Sequence, residues 1–301
     1  MSLAAAIGDD GSARHFAALR DAFRQDIYDS IAATMEHHDI DYIPASVELG
    51  DFDPSSTSIA VSPVGELASL PQPALARTFQ RYFDDLERRR LGGVGEGYSA
   101  YELRNVEALI RMGEREQAFA LLRSLHRDRR PAAWNQWQEI TWRDPTAPRF
   151  IGDMPHTWIG SSFIRALRAM LVYEREEDRT LVLAAGLPLA WVQSQDRVAV
   201  KGLPTHCGTL HYSLRREAPG VFRMRASGDL ALPACRLVVE PPLPPGQTLR
   251  RVEQNGRAVD AFGPTQVEIP ALPADLLLFV GDESGLPPGT EALAPPPARA
   301  G

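Results

Sequence analysis

The chain has 301 residues, 44% of them apolar, and a formal net charge of -7. That length holds one large domain or two ordinary ones with real cores, and the apolar content excludes a disordered protein. No basic block exceeds Arg88 to Arg90, so the electrostatic footprint of a nucleic-acid binder is missing.

The opening residues, MSLAAAIGDDGSARHF, lack a basic n-region and break at Asp9-Asp10, so residues 1–12 read as disordered and not as a signal peptide. No window approaches the ~20 apolar residues of a membrane span. Taken as complete, such a chain is cytoplasmic. Residues 13–38 repeat apolar side chains at helical spacing through Phe16, Leu19, Phe23, Ile27, Ile31 and Met35, which predicts an amphipathic helix. After the loop DIDYIPASVELGDFDPSS, Ser55 or Ser56 can cap a short helix over about 57–69. A third helix is predicted over 73–90, with Leu75, Phe79, Phe83 and Leu86 on one face.

The Gly-rich stretch LGGVGEGYS leads to a fourth helix, begun by Ser99 with Glu102 in a capping box and ended near Gly113. A fifth follows over about 114–127, then a loop over 128–157 and a sixth helix over about 158–176. Long loops follow the first, third and fifth helices and short ones the second and fourth. Antiparallel helix hairpins would put all three long loops on one rim.

Beyond residue 180 the texture changes to short, period-two apolar runs with Pro/Gly punctuation, suited to a β-sandwich. Asn255-Gly256 is a two-residue hairpin signal. The expected organisation is an α + β multidomain chain with a helical domain over 13–178, a β-sandwich over 179–282 and a disordered tail over 283–301. Cys207 and Cys235, a lone pair in so long a chain, read as two buried thiols and not as a disulfide.

Three loops hold the candidate chemistry. The first places Glu48, Asp51 and Asp53 beside Phe52, and carboxylates next to a ring suit a sugar, whose hydroxyls bond to charge while its C–H face stacks. A polar loop with helix-capping acids is the competing reading. The second offers Glu96, Tyr98 and Glu102, the last equally a first-turn cap. The third, AWNQWQEITW, crowds Trp134, Trp137 and Trp142 around Glu139, with Asp153, His156 and Trp158 following. A carboxylate among aromatic walls has the environment of a general acid or base. The spacing of Glu139, Asp153 and His156, with no second His, disfavours a metal site, and no cofactor is expected.

The runs VELGDFDPSSTSIAV, YELRNVEALIRMGEREQAFALL, WNQWQEI and IGDMPHTWIGSSFIRAL, in that order before a β-rich tail, resemble the C-terminal part of bacterial six-hairpin glycosidases of the α-L-rhamnosidase-like type. The resemblance spans about residues 15–280. It implies part of an (α/α)6 toroid, about three helical hairpins, followed by a β-sandwich. It further implies hydrolysis of an oligosaccharide or glycoside with inversion. The Trp-x-Glu setting would make Glu139 the general base, and Gly50, Asp51 and Phe52 would meet substrate. The acid motif of such enzymes has no counterpart here, which leaves Glu48 or Glu96 as substitutes. Half a toroid also leaves apolar helix faces for another chain or an N-terminal segment to cover. Two alternatives follow: a non-catalytic carbohydrate-binding or assembly fragment, and a polysaccharide lyase using Tyr98 or Tyr101 with His156.

Overall fold

A computed structural model describes residues 2–91, 97–129, 131–142, 152–193, 197–232, 234–282 and 284–285. The chain forms two compact units, residues 1–96 and 97–301. The division falls in the Gly-rich stretch and not after residue 178, where the change of sequence texture suggested it.

In the first unit, α1 (Ser2–Ala6) and α2 (Asp10–His38) occupy ground expected to be irregular before residue 13. Asp9 starts α2, its carboxylate accepting from the Ser12 N–H at 2.9 Å. The amphipathic stripe exists but is not a core face: Phe16, Leu19, Phe23 and Ile27 are all exposed, and only Thr34 of this helix is buried. Helix α3 (Pro54–Val61) begins earlier than expected, because Asp53 and not a serine caps it and Pro54 occupies its first turn. Helix α4 (Ala74–Arg90) buries Leu75, Phe79, Tyr82 and Leu86.

The second unit opens with β1 (Gly97–Ser99). The Ser99 hydroxyl accepts from the Tyr101 N–H at 3.2 Å, and a 3-10 turn over Ala100–Glu102 then leads into α5 (Leu103–Arg111). Ser99 thus caps the 3-10 turn, and Glu102, at the N-cap of α5, makes no side-chain cap bond to that helix. Gly113, at φ 86°, stops the helix and turns the chain into α6 (Arg115–Arg127). In the long loop that follows, β2 (Ile140–Trp142) pairs antiparallel with β1. Helix α7 (Thr157–Leu171) is shorter than expected, since Val172 and Tyr173 pair with Leu183 and Val182 and open strand β3 (Val172–Arg175) instead of another helical turn.

Next come β4 (Thr180–Leu183), α8 (Leu189–Gln193), β5 (Val198–Thr205), β6 (Gly208–Ala218), β7 (Val221–Gly228) and β8 (Arg236–Val239). Strands β9 (Thr248–Gln254), β10 (Arg257–Val259), β11 (Val267–Glu268) and β12 (Ala274–Gly281) complete the unit. Asn255 and Gly256 both have positive φ and join β9 to β10, as their dipeptide predicts. One sheet has the order β10-β9-β12-β7-β6-β5 and the other β11-β8-β4-β3, with β4 and β8 parallel. Both sheets contribute to one core, Leu181, Leu183, Leu237 and Val239 from the smaller and Leu210, Leu214, Phe222, Met224, Leu276 and Leu278 from the larger. The protein is thus α + β, and its second unit carries sheets of six and four strands. Of the expected tail, only Ser284 and Gly285 lie among the described residues.

Helices α5 to α7 are tied to these sheets. The Arg115 guanidinium donates to the carbonyls of Ala185 (2.6 Å), Pro241 (3.0 Å) and Glu240 (2.9 Å), and Tyr212 donates to the Leu171 carbonyl at 2.9 Å. Burial pushes the Tyr212 phenol above its ordinary range, so it stays a neutral donor. Cys207 and Cys235 are buried, as expected, but joined as a disulfide. The β5–β6 turn and the entry to β8 bring their Cα atoms to 6.2 Å, bridging distance, which a sequence separation of 28 does not reveal. Among the described residues no helix is long and apolar enough to cross a membrane.

Candidate functional site

Pairing of β1 with β2 sets Gly97 opposite Trp142 and Ser99 opposite Ile140, so two of the three candidate loops meet in the second unit. The Ala100 N–H donates to the Glu139 carbonyl at 2.9 Å. On the other side, the Glu139 N–H donates to the Asp153 carbonyl at 3.3 Å, and the Asp153 N–H returns a bond to Glu139 Oε2 at 3.2 Å. Gly152 lies between them at φ 65°; a Cβ there would stand 2.1 Å from Glu139 Oε2 and 2.7 Å from its Cβ. Only glycine combines that backbone conformation with so close an approach.

The neighbours of Glu139 split by burial. Trp137 is 6% exposed and packs on Phe163 with ring centroids 5.0 Å apart, so it is a core residue and not the expected stacking wall. Gln138 is buried and donates to the Asp128 carbonyl and the Thr141 hydroxyl, both at 3.1 Å. With both anchored inward, Glu139 is left half-buried at the surface of the loop. Trp134, 62% exposed, stands on a 3-10 turn (Ala132–Trp134) outside this packing.

His156 reaches the same place from the start of α7, its N–H donating to the Trp137 carbonyl at 2.7 Å. A carboxylate oxygen of Glu139, one of Asp153 and an imidazole nitrogen of His156 lie within 4.8 Å of one another, a convergence their sequence spacing did not suggest. His156 Nδ1 is 3.9 Å from Asp153 Oδ2, and Nε2 is 3.1 Å from the Tyr101 hydroxyl. Tyr101 also meets Trp158 edge-on at 5.5 Å, and the Arg104 guanidinium lies 4.8 Å from the Tyr101 ring centre and 5.1 Å from that of Trp158. The Trp158 indole is 57% exposed beside this group. Two carboxylates, an imidazole, a phenol and an open aromatic face can bond to and stack against a polyhydroxylated ligand.

The remaining candidates have local roles. In the first unit Asp53 caps α3, accepting from the Ser55 N–H (2.9 Å) and the Ser56 hydroxyl (2.6 Å). Asp51 accepts from the Ser46 hydroxyl at 2.6 Å, and Glu48 is exposed. Phe52 packs edge-on against Tyr42 at 5.2 Å, with the Arg81 guanidinium 4.4 Å above its ring. Capping and packing, the competing reading, account for Asp53 and Phe52. In the second unit the backbone of Tyr98 lies in β1 and Glu102 ends the 3-10 turn, whereas Glu96 lies outside the described residues.

Nothing in the sequence marks Gly152 as the residue that positions Glu139, and nothing marks Asn105. That amide is fully buried in α5 with neither polar atom partnered among the described residues, a costly arrangement in an apolar setting. No family model and no curated protein matches this chain.

Proposed function

We propose that the chain acts on a carbohydrate, as a glycoside hydrolase or the C-terminal portion of one, with Glu139 as the general base. The observation that carries this reading is the fixed, half-buried Glu139 carboxylate amid His156, Tyr101 and the exposed Trp158 indole. In this reading the chain's helices belong to the (α/α)6 type of helical hairpin, and Trp158 and Trp134 stack against sugar rings. Glu139 takes a proton from water as it attacks the anomeric carbon, while an acid on the opposite face protonates the leaving oxygen.

Asp153 is not that acid. Its oxygen lies within 4.8 Å of Glu139, whereas an inverting pair stands ~6.5–9.5 Å apart to admit the water. In this reading the acid comes from another chain or an N-terminal segment. A chain without the acid would bind sugar and turn it over ~10²–10⁴-fold more slowly.

One observation favours a second reading, the polysaccharide lyase: the 3.1 Å contact between Tyr101 and His156. There the pair would remove the proton next to a uronate carboxylate and break the bond to the leaving oxygen, leaving an unsaturated sugar. A panel of aryl glycosides, rhamnosides included, and of uronate-containing oligosaccharides tests both. Aglycone release without an unsaturated, ultraviolet-absorbing product supports the hydrolase; that product and no aglycone supports the lyase. No turnover with measurable sugar binding supports the non-catalytic fragment.

A further inference from the structure

The second unit holds another cluster, far along the sequence from Glu139. His206 and Cys207 form the turn between β5 and β6, and Cys235 immediately precedes β8. Successive residues of a strand point to opposite faces, but a turn lets His206 and Cys207 serve one point. An imidazole nitrogen of His206 and both sulfurs lie within 4.8 Å of one another.

We propose that this corner has two states: oxidised, it is the Cys207–Cys235 disulfide, and reduced, it binds one Zn²⁺ through both thiolates and His206, with water in the fourth position. Two thiolates, one imidazole and an open position form a recognised zinc set. Tetrahedral zinc places its ligand atoms ~3.5–3.8 Å apart, so the three groups need only settle around the ion once the sulfurs part.

A separate observation points the same way. His206 Nδ1 lies 2.9 Å from Glu174 Oε2, and the other oxygen of Glu174 accepts from Arg168 at 2.5 Å. A zinc-binding imidazole characteristically gives its second nitrogen to a carboxylate held in this way, which sets the tautomer and leaves the first free for metal. The sulfurs are buried whereas the His206 side chain is 30% exposed, so a metal can enter from the histidine side.

Conversion requires a dithiol or phosphine reductant. Two electrons and two protons turn the disulfide into two thiols; zinc then displaces both thiol protons. With a phosphine, phosphorus is oxidised and takes up oxygen from water.

The test uses the full chain, reduced with a water-soluble phosphine without air, titrated with Co²⁺ and then Zn²⁺. One Co²⁺ per reduced chain should bind with thiolate-to-cobalt charge-transfer absorption, be displaced by Zn²⁺, and leave the near-ultraviolet circular dichroism of the fold in place. The oxidised chain and Cys207→Ser should show no such band; metal held at Glu139, Asp153 and His156 would show none either. Glu174→Gln should weaken binding about 10–100-fold, and His206→Ala at least as much. The proposal is overturned if the folded, reduced chain gives no band. Equal affinity in wild type, His206→Ala and Glu174→Gln also overturns it, since two cysteines alone, or an unfolded chain, would behave that way.

Discussion

Substituting Gly152 with alanine probes how Glu139 is held. The residue sits at φ 65°, where an L side chain costs roughly 1–2 kcal/mol. The new methyl would also stand 2.1 Å from Glu139 Oε2, 2.7 Å from its Cβ and 2.9 Å from its Cδ; since a Cβ moves only with its backbone, the Glu139 loop must shift as well as the carboxylate swing away. Swinging breaks the 3.2 Å bond from the Asp153 N–H. The expected stability loss is at least the backbone cost, a melting-point fall of roughly 2–8 °C at about 2–4 °C per kcal/mol, with the loop shift adding to it. A displacement of about 1 Å in a reacting group costs on the order of 10²-fold in rate, so turnover should fall that far in a chain that still melts cooperatively. Calorimetry and initial rates on one preparation separate the two effects. Full turnover in Gly152→Ala would refute the claim that this glycine positions the reacting carboxylate.

Four further outcomes are expected. Trp137→Ala should cost about 3–5 kcal/mol by denaturant titration, as removal of a buried ring does, whereas Trp158→Ala, at an exposed ring, should leave the midpoint nearly unchanged and weaken sugar binding. Asn105→Leu should stabilise the chain, because it removes a buried amide with no partner among the described residues; a loss of more than ~1 kcal/mol would mean the amide is satisfied. A hydrogen bond from Arg175 holds the Asp178 carboxyl down to about 2. Because that value is depressed, the bond stabilises above the ordinary value of 3.8 and fades as pH falls toward 2, so Asp178→Asn should flatten the stability profile in that window and nowhere else. Reducing the disulfide without metal should cost about 3–4 kcal/mol on the loop-closure estimate, because the bridge spans 28 residues; an unchanged thermal midpoint would contradict it.

Elements with a strong local pattern were legible in the sequence. Helical periodicity placed α4 and α6 to within a residue or two, and Asn255-Gly256 marked the β9–β10 hairpin. What escaped depends on partners distant in sequence. Val172 and Tyr173 continue the apolar pattern of α7 and become a strand only because β4 is there to pair with them. Trp137 and Trp158 look alike in sequence, yet one packs on Phe163 and the other stands open. The stripe on α2 was correctly periodic, but periodicity says nothing of whether a face is covered. At the candidate site Glu139 stood out by its neighbours, whereas its bond from the Asp153 N–H depends on Gly152, whose positive φ no spacing rule exposes. Asp53 stood out as well, and its role proved to be a helix cap.

The most direct test of the proposed role compares wild type with Glu139→Gln across a panel of aryl glycosides, with the anomer of any first product followed by NMR. Glutamine keeps the shape and can still accept from the Asp153 N–H, but it cannot take a proton from water. The account expects an inverted product from wild type, a fall of at least about 10²-fold in kcat for the variant, and an unchanged melting temperature. Equal rates for the two proteins, or a product of retained configuration, would contradict Glu139 as the base.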